Sequence, residues 1–413
     1  MWIDLLQSIC SFATFAGCAA ASSGAGPVVC CTALLSNRHC IRTTVATSPD
    51  HPSRRPTQPA AVGQPTSFPR LVADIGGTNA RFGWIAAPGA AVAQVQKLAV
   101  PDFAGPAEAA QAYLAGLADL LALQGQAYQA PRQAAFAVAT AVAGDRINFT
   151  NSHWDFSRVA VQARLGLDGL LMLNDFESLA LSLPRLGADQ LRSHPVLQAG
   201  AGAADGNSPG RLLAVVGPGT GLGVGAVVAT RSGWVALPGE GGHATLAPAD
   251  DLESAVLAAV RRHHAHVSAE HLLSGIGLPL LYQALGQVLG QTPGHTPGST
   301  PTALTTAQIV AAGEDGSNPL CGQTLDLFCA LLGGFAGNVA LTLGARGGLF
   351  IGGGIVPRFE ARFFASAFRQ RFEAKGRFRD YLAAIPTALI TDTLVALSGA
   401  ALAIEQQVAL AGA

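Results

Sequence analysis

Lysine is almost missing: Lys97 and Lys375 stand against 23 arginines in 413 residues. Neither completes a G-x-x-x-x-G-K-[ST] loop, so a P-loop nucleoside triphosphatase is excluded. An excess of either charge is missing too. With 25 basic and 26 acidic residues the formal net charge is −1, without the basic surplus of a nucleic-acid binder. Charge is sparse altogether, 12% against 49% apolar residues, which excludes a disordered chain. The 49 glycines follow no G-X-Y period and therefore mark tight turns rather than collagen. Cysteine is scarce in the body of the chain. Five of seven (Cys10, Cys18, Cys30, Cys31, Cys40) lie near the N-terminus, while Cys321 and Cys329 match no metal spacing. No disulfide framework spreads through the core, which points to a reducing compartment.

Residues 1–68 differ from the rest. Leu5 to Asn37 carries no charge, and a tract rich in Pro, Ser, Thr and Arg follows as far as Pro69. A secretory signal needs a basic start, yet Asp4 sits there and the first basic residue is Arg38. A membrane helix needs about 20 apolar residues in a row, and Gln7, Ser8, Ser11, Thr14, Gly24 and Pro27 interrupt the run. The stretch reads as an extension outside the fold, disordered or the product of a start placed too far upstream of Val62.

From Arg70 onward, short β-branched runs alternate with helical periods. Strands are expected over Leu71–Ile75, Ala80–Ile85, Ala134–Ala139, Leu170–Leu173, Leu212–Val216, Gly223–Ala229 and Gly348–Ile351. Helices are expected over Ala107–Leu123, Glu177–Leu183, Asp251–Arg261, Leu325–Leu343, Phe359–Phe372 and Val395–Ala409. That mixture is an α/β architecture. Gln291 to Thr302, rich in Gly, Thr and Pro, reads as an exposed loop insertion.

Three glycine clusters sit at strand ends. In Asp74-Ile75-Gly76-Gly77-Thr78-Asn79 a glycine pair joins two strands with no helix between them. Such a turn lets backbone N–H groups approach an anion, and Thr78 and Asn79 add side-chain donors. The Asp74 carboxylate beside phosphates would repel them unless a cation intervenes, so it implies Mg²⁺ held through water. An ordinary Gly-Gly hairpin satisfies the same residues. Gly217-Pro218-Gly219-Thr220-Gly221-Leu222-Gly223 does not fit G-x-G-x-x-G, which disfavours a Rossmann dinucleotide site. It suggests a second phosphate-gripping hairpin. The third cluster runs from Gly347 to Gly354, where Gly352, Gly353 and Gly354 would let the backbone lie flat against a base or ribose. For both later clusters, close packing of strand on helix is the alternative.

Carboxylates accompany these turns. Asn174-Asp175 ends an apolar run and opens a helix, where backbone N–H groups favour an ionised Asp175. It is either a plain N-cap or a general base for an attacking hydroxyl. In phosphoryl transfer such a carboxylate mainly positions its partner, so a lowered pKa would be no obstacle. Pro238-Gly-Glu240-Gly-Gly-His243 exposes an acid and an imidazole together, a pair suited to polyol hydroxyls. Glu270 falls at an expected helix start, where an acid is ordinary. His263, His264 and His266 read as the cationic end of the preceding helix rather than a metal site.

Taken together, Asp74–Arg81, Asn174-Asp175-Phe176, Gly217–Gly225, Leu237–His243, Ser268–Gly277 and Gly348–Arg358 resemble the motif set of the proteobacterial-type ATP-dependent glucokinases. Order and spacing match from about Leu71 to the C-terminus. The resemblance implies the two-lobed actin-like (ribonuclease H-like) sugar kinase fold, with ATP and sugar in the cleft. It implies a small lobe over 69–185, completed by a C-terminal helix in 391–413, and a large lobe over 186–390. A cytoplasmic homodimer is implied as well. By motif, Asp175 is the base toward the sugar 6-hydroxyl, and Asn174, Glu240, His243 and Glu270 hold other hydroxyls. Asp74, Ile75, Gly76, Gly77, Thr78, Asn79, Gly219, Thr220 and Gly221 serve Mg-ATP, with Gly352–Gly354 near the nucleoside.

Three departures stand out. The N-terminal extension has no counterpart, Ala139-Thr-Ala-Val-Ala143 lacks the Pro expected in that region, and the Gln291–Thr302 insertion is unusually rich in Gly, Pro and Thr. The related repressor/open-reading-frame/kinase family typically adds a Cys-x-Cys zinc motif, which does not occur here. A kinase for mannose, fructose or glucosamine would carry the same motifs. A non-catalytic sugar sensor would tolerate loss of Asp175, and an actin-like ATPase would not need the sugar-facing acids. No nucleic-acid or membrane partner is expected.

Overall fold

The apolar run at Leu71 becomes a central strand because both of its faces are covered. A computed structural model describes residues 68–149, 152–194, 209–291 and 304–411, all within one compact unit spanning Gly63–Ala413. The expectations for the N-terminal extension, and for the insertion beyond Gln291, lie outside the described residues. In chain order the strands are β1 Arg70–Ile75, β2 Asn79–Ile85, β3 Ala93–Ala99, β4 Gln133–Val138, β5 Arg146–Asn148, β6 Asp155–Ser157 and β7 Gly169–Asn174. They continue with β8 Leu191–Ser193, β9 Leu212–Pro218, β10 Leu222–Thr230, β11 Gly233–Leu237, β12 Gly348–Ile351 and β13 Thr387–Ile390. The helices are α1 Pro106–Leu123, α2 Arg158–Arg164, α3 Asp175–Ser182, α4 Asp251–Arg261, α5 Leu278–Val288 and α6 Thr306–Glu314. After them come α7 Pro319–Leu343, α8 Glu360–Ala365, α9 Phe368–Glu373, α10 Arg379–Ala383 and α11 Val395–Ala411.

Two sheets repeat one plan. The first has order β3-β2-β1-β4-β7, and the second β11-β10-β9-β12-β13-β8. In each, an antiparallel meander leads into strands that run parallel to its first strand. Tyr113 and Leu117 of α1 bury one face of the first sheet against Phe82 and Phe136. Leu397, Ala400 and Ile404 of α11 cover Val72, Ile85 and Ala135 on the other. The second sheet buries one face under α4 to α7 and the other under α3 and α11. Helices α3 and α11 therefore link the two sheets. They approach so closely that a Cβ at Gly399 would stand 1.7 Å from the Ser178 carbonyl oxygen.

Helix α7 is long and apolar enough to cross a membrane, but 72% of its most apolar window is buried in the fold. It is a core helix. It begins at Pro319, earlier than its apolar period indicates, because the Asn318 side chain accepts the N–H groups of Leu320 and Cys321. The single helix expected over Phe359–Phe372 is broken into α8 and α9. Ser366 leaves helical geometry, and its hydroxyl accepts the Phe368 N–H at 3.2 Å. Phe363 and Phe368 pack on each other across that break, with ring centroids 4.6 Å apart.

Candidate active site

Asp175 sits where β7 of the first sheet ends and α3 begins. Capping is done by Asn174, not by Asp175. The Asn174 Oδ1 atom accepts the N–H groups of Phe176 at 2.9 Å and Glu177 at 3.4 Å, and Glu177 returns a carboxylate to the Asn174 N–H. Asn174 also donates its Nδ2 to the Thr140 carbonyl at 3.1 Å, fixing the loop that begins at Ala139. A second Nδ2 hydrogen remains for a ligand. The plain N-cap alternative for Asp175 is thereby removed.

The ionised form of Asp175 is not favoured, contrary to the expectation from helix-start geometry. Burial, followed by the charge of Asp74 and more weakly that of Glu240, pushes its carboxyl up to about 7, against the opposing N–H of Phe176. Desolvation and two like charges outweigh a few helix-start N–H groups. The result is a carboxyl poised near neutrality.

Asp74 is the penultimate residue of β1, directly across the ladder from Arg81 of β2. Arg81 Nη1 meets its Oδ2 at 3.1 Å. Burial nevertheless raises the Asp74 carboxyl, with Arg81 working in the opposite direction. The turn between them is closed by the Gly76 N–H on the Asn79 carbonyl at 2.9 Å, with Asn79 Nδ2 donating to Thr78 Oγ1. Arg81 was legible as seven residues after Asp74 across a two-strand turn, a spacing that register converts into contact. Asp74 Oδ1 has no hydrogen bond among the described residues. A hard carboxylate oxygen amid excess negative charge fits Mg²⁺.

The second hairpin, β9–β10, divides its glycines between two duties. Gly217 and Gly223 are cross-strand partners, and the Phe176 ring occupies the space a Cβ would need at either. Gly221 faces the Glu270 carboxylate. At Gly219 the nearest atom to a built Cβ is 4.0 Å away, so only there does the turn keep an open approach. The packing alternative thus holds for Gly217 and Gly223. The turn itself is tied down by the Gly275 and Ile276 N–H groups on the carbonyls of Gly219 and Thr220, at 2.8 and 3.3 Å. Beside it, Gly352 donates to Val216, and Gly353 takes φ +79° with its Cβ position 2.2 Å from the Pro218 carbonyl oxygen. Gly354 faces open space.

Glu240 and His243 are exposed together on a short 3-10 turn, Gly241–His243. Gly242 is buried so tightly that a Cβ would sit 1.8 Å from the Leu222 carbonyl oxygen. Glu270 is not at a helix start. Pro279 and the Gly277 N-cap set the beginning of α5 later, and Glu270 lies in the preceding turn with its N–H on the Gly242 carbonyl at 2.9 Å. Its Oε2 accepts the Leu222 N–H at 2.8 Å, and its Oε1 is 3.7 Å from His243 Nδ1. The neighbouring histidines separate: His266 meets Thr245 Oγ1 at 3.0 Å, and His264 packs on His271. Among the described residues no group of three or more acidic, His or Cys side chains could hold a metal ion.

Two glycine hairpins, one from each sheet, thus accompany a near-neutral, half-buried carboxyl and a cluster of acidic and imidazole side chains. A family model described as Glucokinase matches residues 71–407, a span containing every one of these residues. The chain belongs to the glucokinase family. A glucokinase of Neisseria meningitidis is 43% identical over 340 residues, covering 82% of this chain and 95% of that protein. One from Aromatoleum aromaticum is 45% identical over 346 residues, covering 84% and 97%. Among solved structures, the glucokinase from an Antarctic psychrotroph is 36% identical with a TM-score of 0.70, over 82% of this chain and 98% of that one. The family fold is the two-lobed actin-like sugar kinase fold, which accounts for the repeated plan of the two sheets. Membership makes the chain an enzyme, a glucokinase.

Proposed function

We propose that the chain transfers the γ-phosphoryl group of ATP to the 6-hydroxyl of D-glucose, with Asp175 as the base. The observation that carries this reading is the Asp175 carboxyl at the start of α3, held near neutrality by burial and by the charge of Asp74. At neutral pH a substantial fraction is ionised and accepts the hydroxyl proton as the O–P bond forms. Asn174, Glu240, His243 and Glu270 orient the remaining hydroxyls so that the 6-hydroxyl faces Asp175. The Asp74–Asn79 turn and the Gly219–Gly221 turn receive the phosphates, and Gly352–Gly354 the nucleoside side. Magnesium held by Asp74 would neutralise charge on the transferring group.

The lobes are read as 69–185 with the C-terminal helix, and 186–390, closing on sugar about the crossings near Pro184 and Thr391. Those crossings lie side by side, since Gln190 accepts from the Thr391 N–H and donates to Asp392. Closure would exclude water that otherwise hydrolyses ATP. A cytoplasmic homodimer belongs to the same reading, supported by cysteine usage and by the motif resemblance.

The test is sugar-6-phosphate production from ATP and Mg²⁺ across a hexose panel, with Asp175→Ala as control. Glucose-dependent turnover that collapses in the control is expected. Turnover with a different hexose alone would move the substrate, and sugar binding without turnover would overturn the reading.

A further inference from the structure

The Phe176 side chain follows the proposed base directly in sequence, yet it packs on the other sheet. Asp175 enters the site from the end of β7 in the first sheet, whereas the Phe176 ring lies on the β9–β10 ladder of the second. At Gly223 a Cβ would come 2.0 Å from ring atoms Cδ2 and Cε2, and at its cross-strand partner Gly217 it would come 2.5 Å from Cζ. At Gly225 it would come 2.6 Å from the Phe176 carbonyl oxygen and 3.2 Å from the Ala180 Cβ. Successive inward positions of β10 are therefore bare so that the start of α3 can lie flat on the strand. The same residue holds the base by its backbone: the Phe176 N–H donates at 2.9 Å to Asp175 Oδ1 and at 2.9 Å to Asn174 Oδ1.

We infer that Phe176 is a positioning residue: its ring, seated on Gly217 and Gly223, sets the placement of the Asp175 carboxylate relative to the Gly219–Gly221 turn. This rests on the reading of Asp175 as base. The physical argument is one of linkage. The turn that receives phosphate is bounded by the two glycines under the ring, and the carboxylate is bonded to the N–H of the residue that carries the ring. Asp175 and the Gly219–Gly221 turn come from different sheets, and the Phe176 ring touches both strands that flank that turn. A smaller or flexible side chain would leave the carboxylate's own contacts intact while releasing its registration. Misplacement on the ångström scale costs rate rather than ground-state affinity.

The experiment is a double-mutant cycle with Phe176→Leu and Gly223→Ala, reading kcat and both KM values, with melting temperature as the folding control. Phe176→Leu should lower kcat about 10- to 100-fold, with KM for glucose and ATP within about twofold of wild type. Gly223→Ala should lower kcat comparably, by displacing the ring. In the double variant the leucine leaves room for the alanine methyl, so the two losses should fall well short of multiplying. The acid limb of the kcat profile should also move to lower pH in Phe176→Leu, as water reaches Asp175 while Asp74 and Glu240, the charges facing it, stay in place. Multiplicative losses, or a Phe176→Leu enzyme with unchanged kcat and pH profile, would overturn the inference. Full activity of Asp175→Ala would instead overturn the assignment of the base, which separates the two failures.

Discussion

Glu270 reaches into the β9–β10 hairpin: its Oε2 accepts the Leu222 N–H at 2.8 Å, and no room is left for a side chain at Gly221, where a Cβ would lie 2.4 Å from the same oxygen. Its other oxygen is 3.7 Å from His243 Nδ1. One carboxylate thus joins the Glu240–His243 loop to the β9–β10 turn, the segments proposed to hold sugar and nucleotide. Glu270→Gln keeps an acceptor for Leu222 but loses the charge facing His243, and should raise KM for glucose with little change in KM for ATP. Glu270→Ala loses both contacts and should raise both KM values. Steady-state kinetics on the two variants checks this, and equal behaviour of Gln and Ala would refute it.

The pH dependence follows from Asp175. With its carboxyl pushed up to about 7, kcat should fall below that pH, approaching about tenfold per pH unit, as the base is protonated. Stability runs the other way. The folded carboxyl binds its proton more tightly than the unfolded one, whose ordinary value is 3.8, so stability is lost as pH rises from there toward about 7. Each tenfold difference in proton affinity is worth about 1.4 kcal/mol. Asp175→Asn should therefore lower kcat by roughly 10²- to 10⁴-fold yet raise the melting temperature above neutral pH. Paired rate and melting measurements over pH decide it.

The glycines should separate into two groups. Gly242→Ala and Gly353→Ala place a methyl 1.8 and 2.2 Å from backbone oxygens, and Gly353 also holds φ +79°. Each should cost roughly 1–3 kcal/mol or more. Gly219→Ala and Gly354→Ala face open space and should change stability by no more than about 0.5 kcal/mol, while raising KM for ATP. Chemical denaturation set beside ATP kinetics would expose the reverse pattern.

Arg81 opposes the burial that raises Asp74. In Arg81→Met that opposition disappears, so Asp74 should hold its proton to higher pH. The acid limb of kcat/KM for Mg-ATP should move toward alkaline pH, and raising magnesium should partly restore activity. A profile identical to wild type would show that Asp74 has no part in nucleotide binding.

Much of this site was legible because its parts are contiguous. Asp74–Asn79, Asn174-Asp175 and Gly219–Gly221 are short segments at strand ends, and strand ends announce themselves where apolar runs meet glycine. Elements whose stability comes from neighbours were not legible. The edge strand β3 is largely exposed, β13 has four residues, and α5 carries a proline at its start. Glu270 looked like a helix-start acid because chain position does not reveal that Pro279 delays the helix.

The amino-acid sequence by itself determined the chemical inventory: the carboxylates, the glycine turns, the α/β alternation and the family, all of which are local in the chain. The tertiary structure alone decided what those groups do to one another. Which carboxyl titrates near neutrality depends on burial and on charges from Asp74 and Glu240, which are far from Asp175 in sequence. Which glycines serve packing depends on a ring brought from the other sheet. Electrostatic and steric coupling fall off over a few ångströms, and only folding fixes distances on that scale.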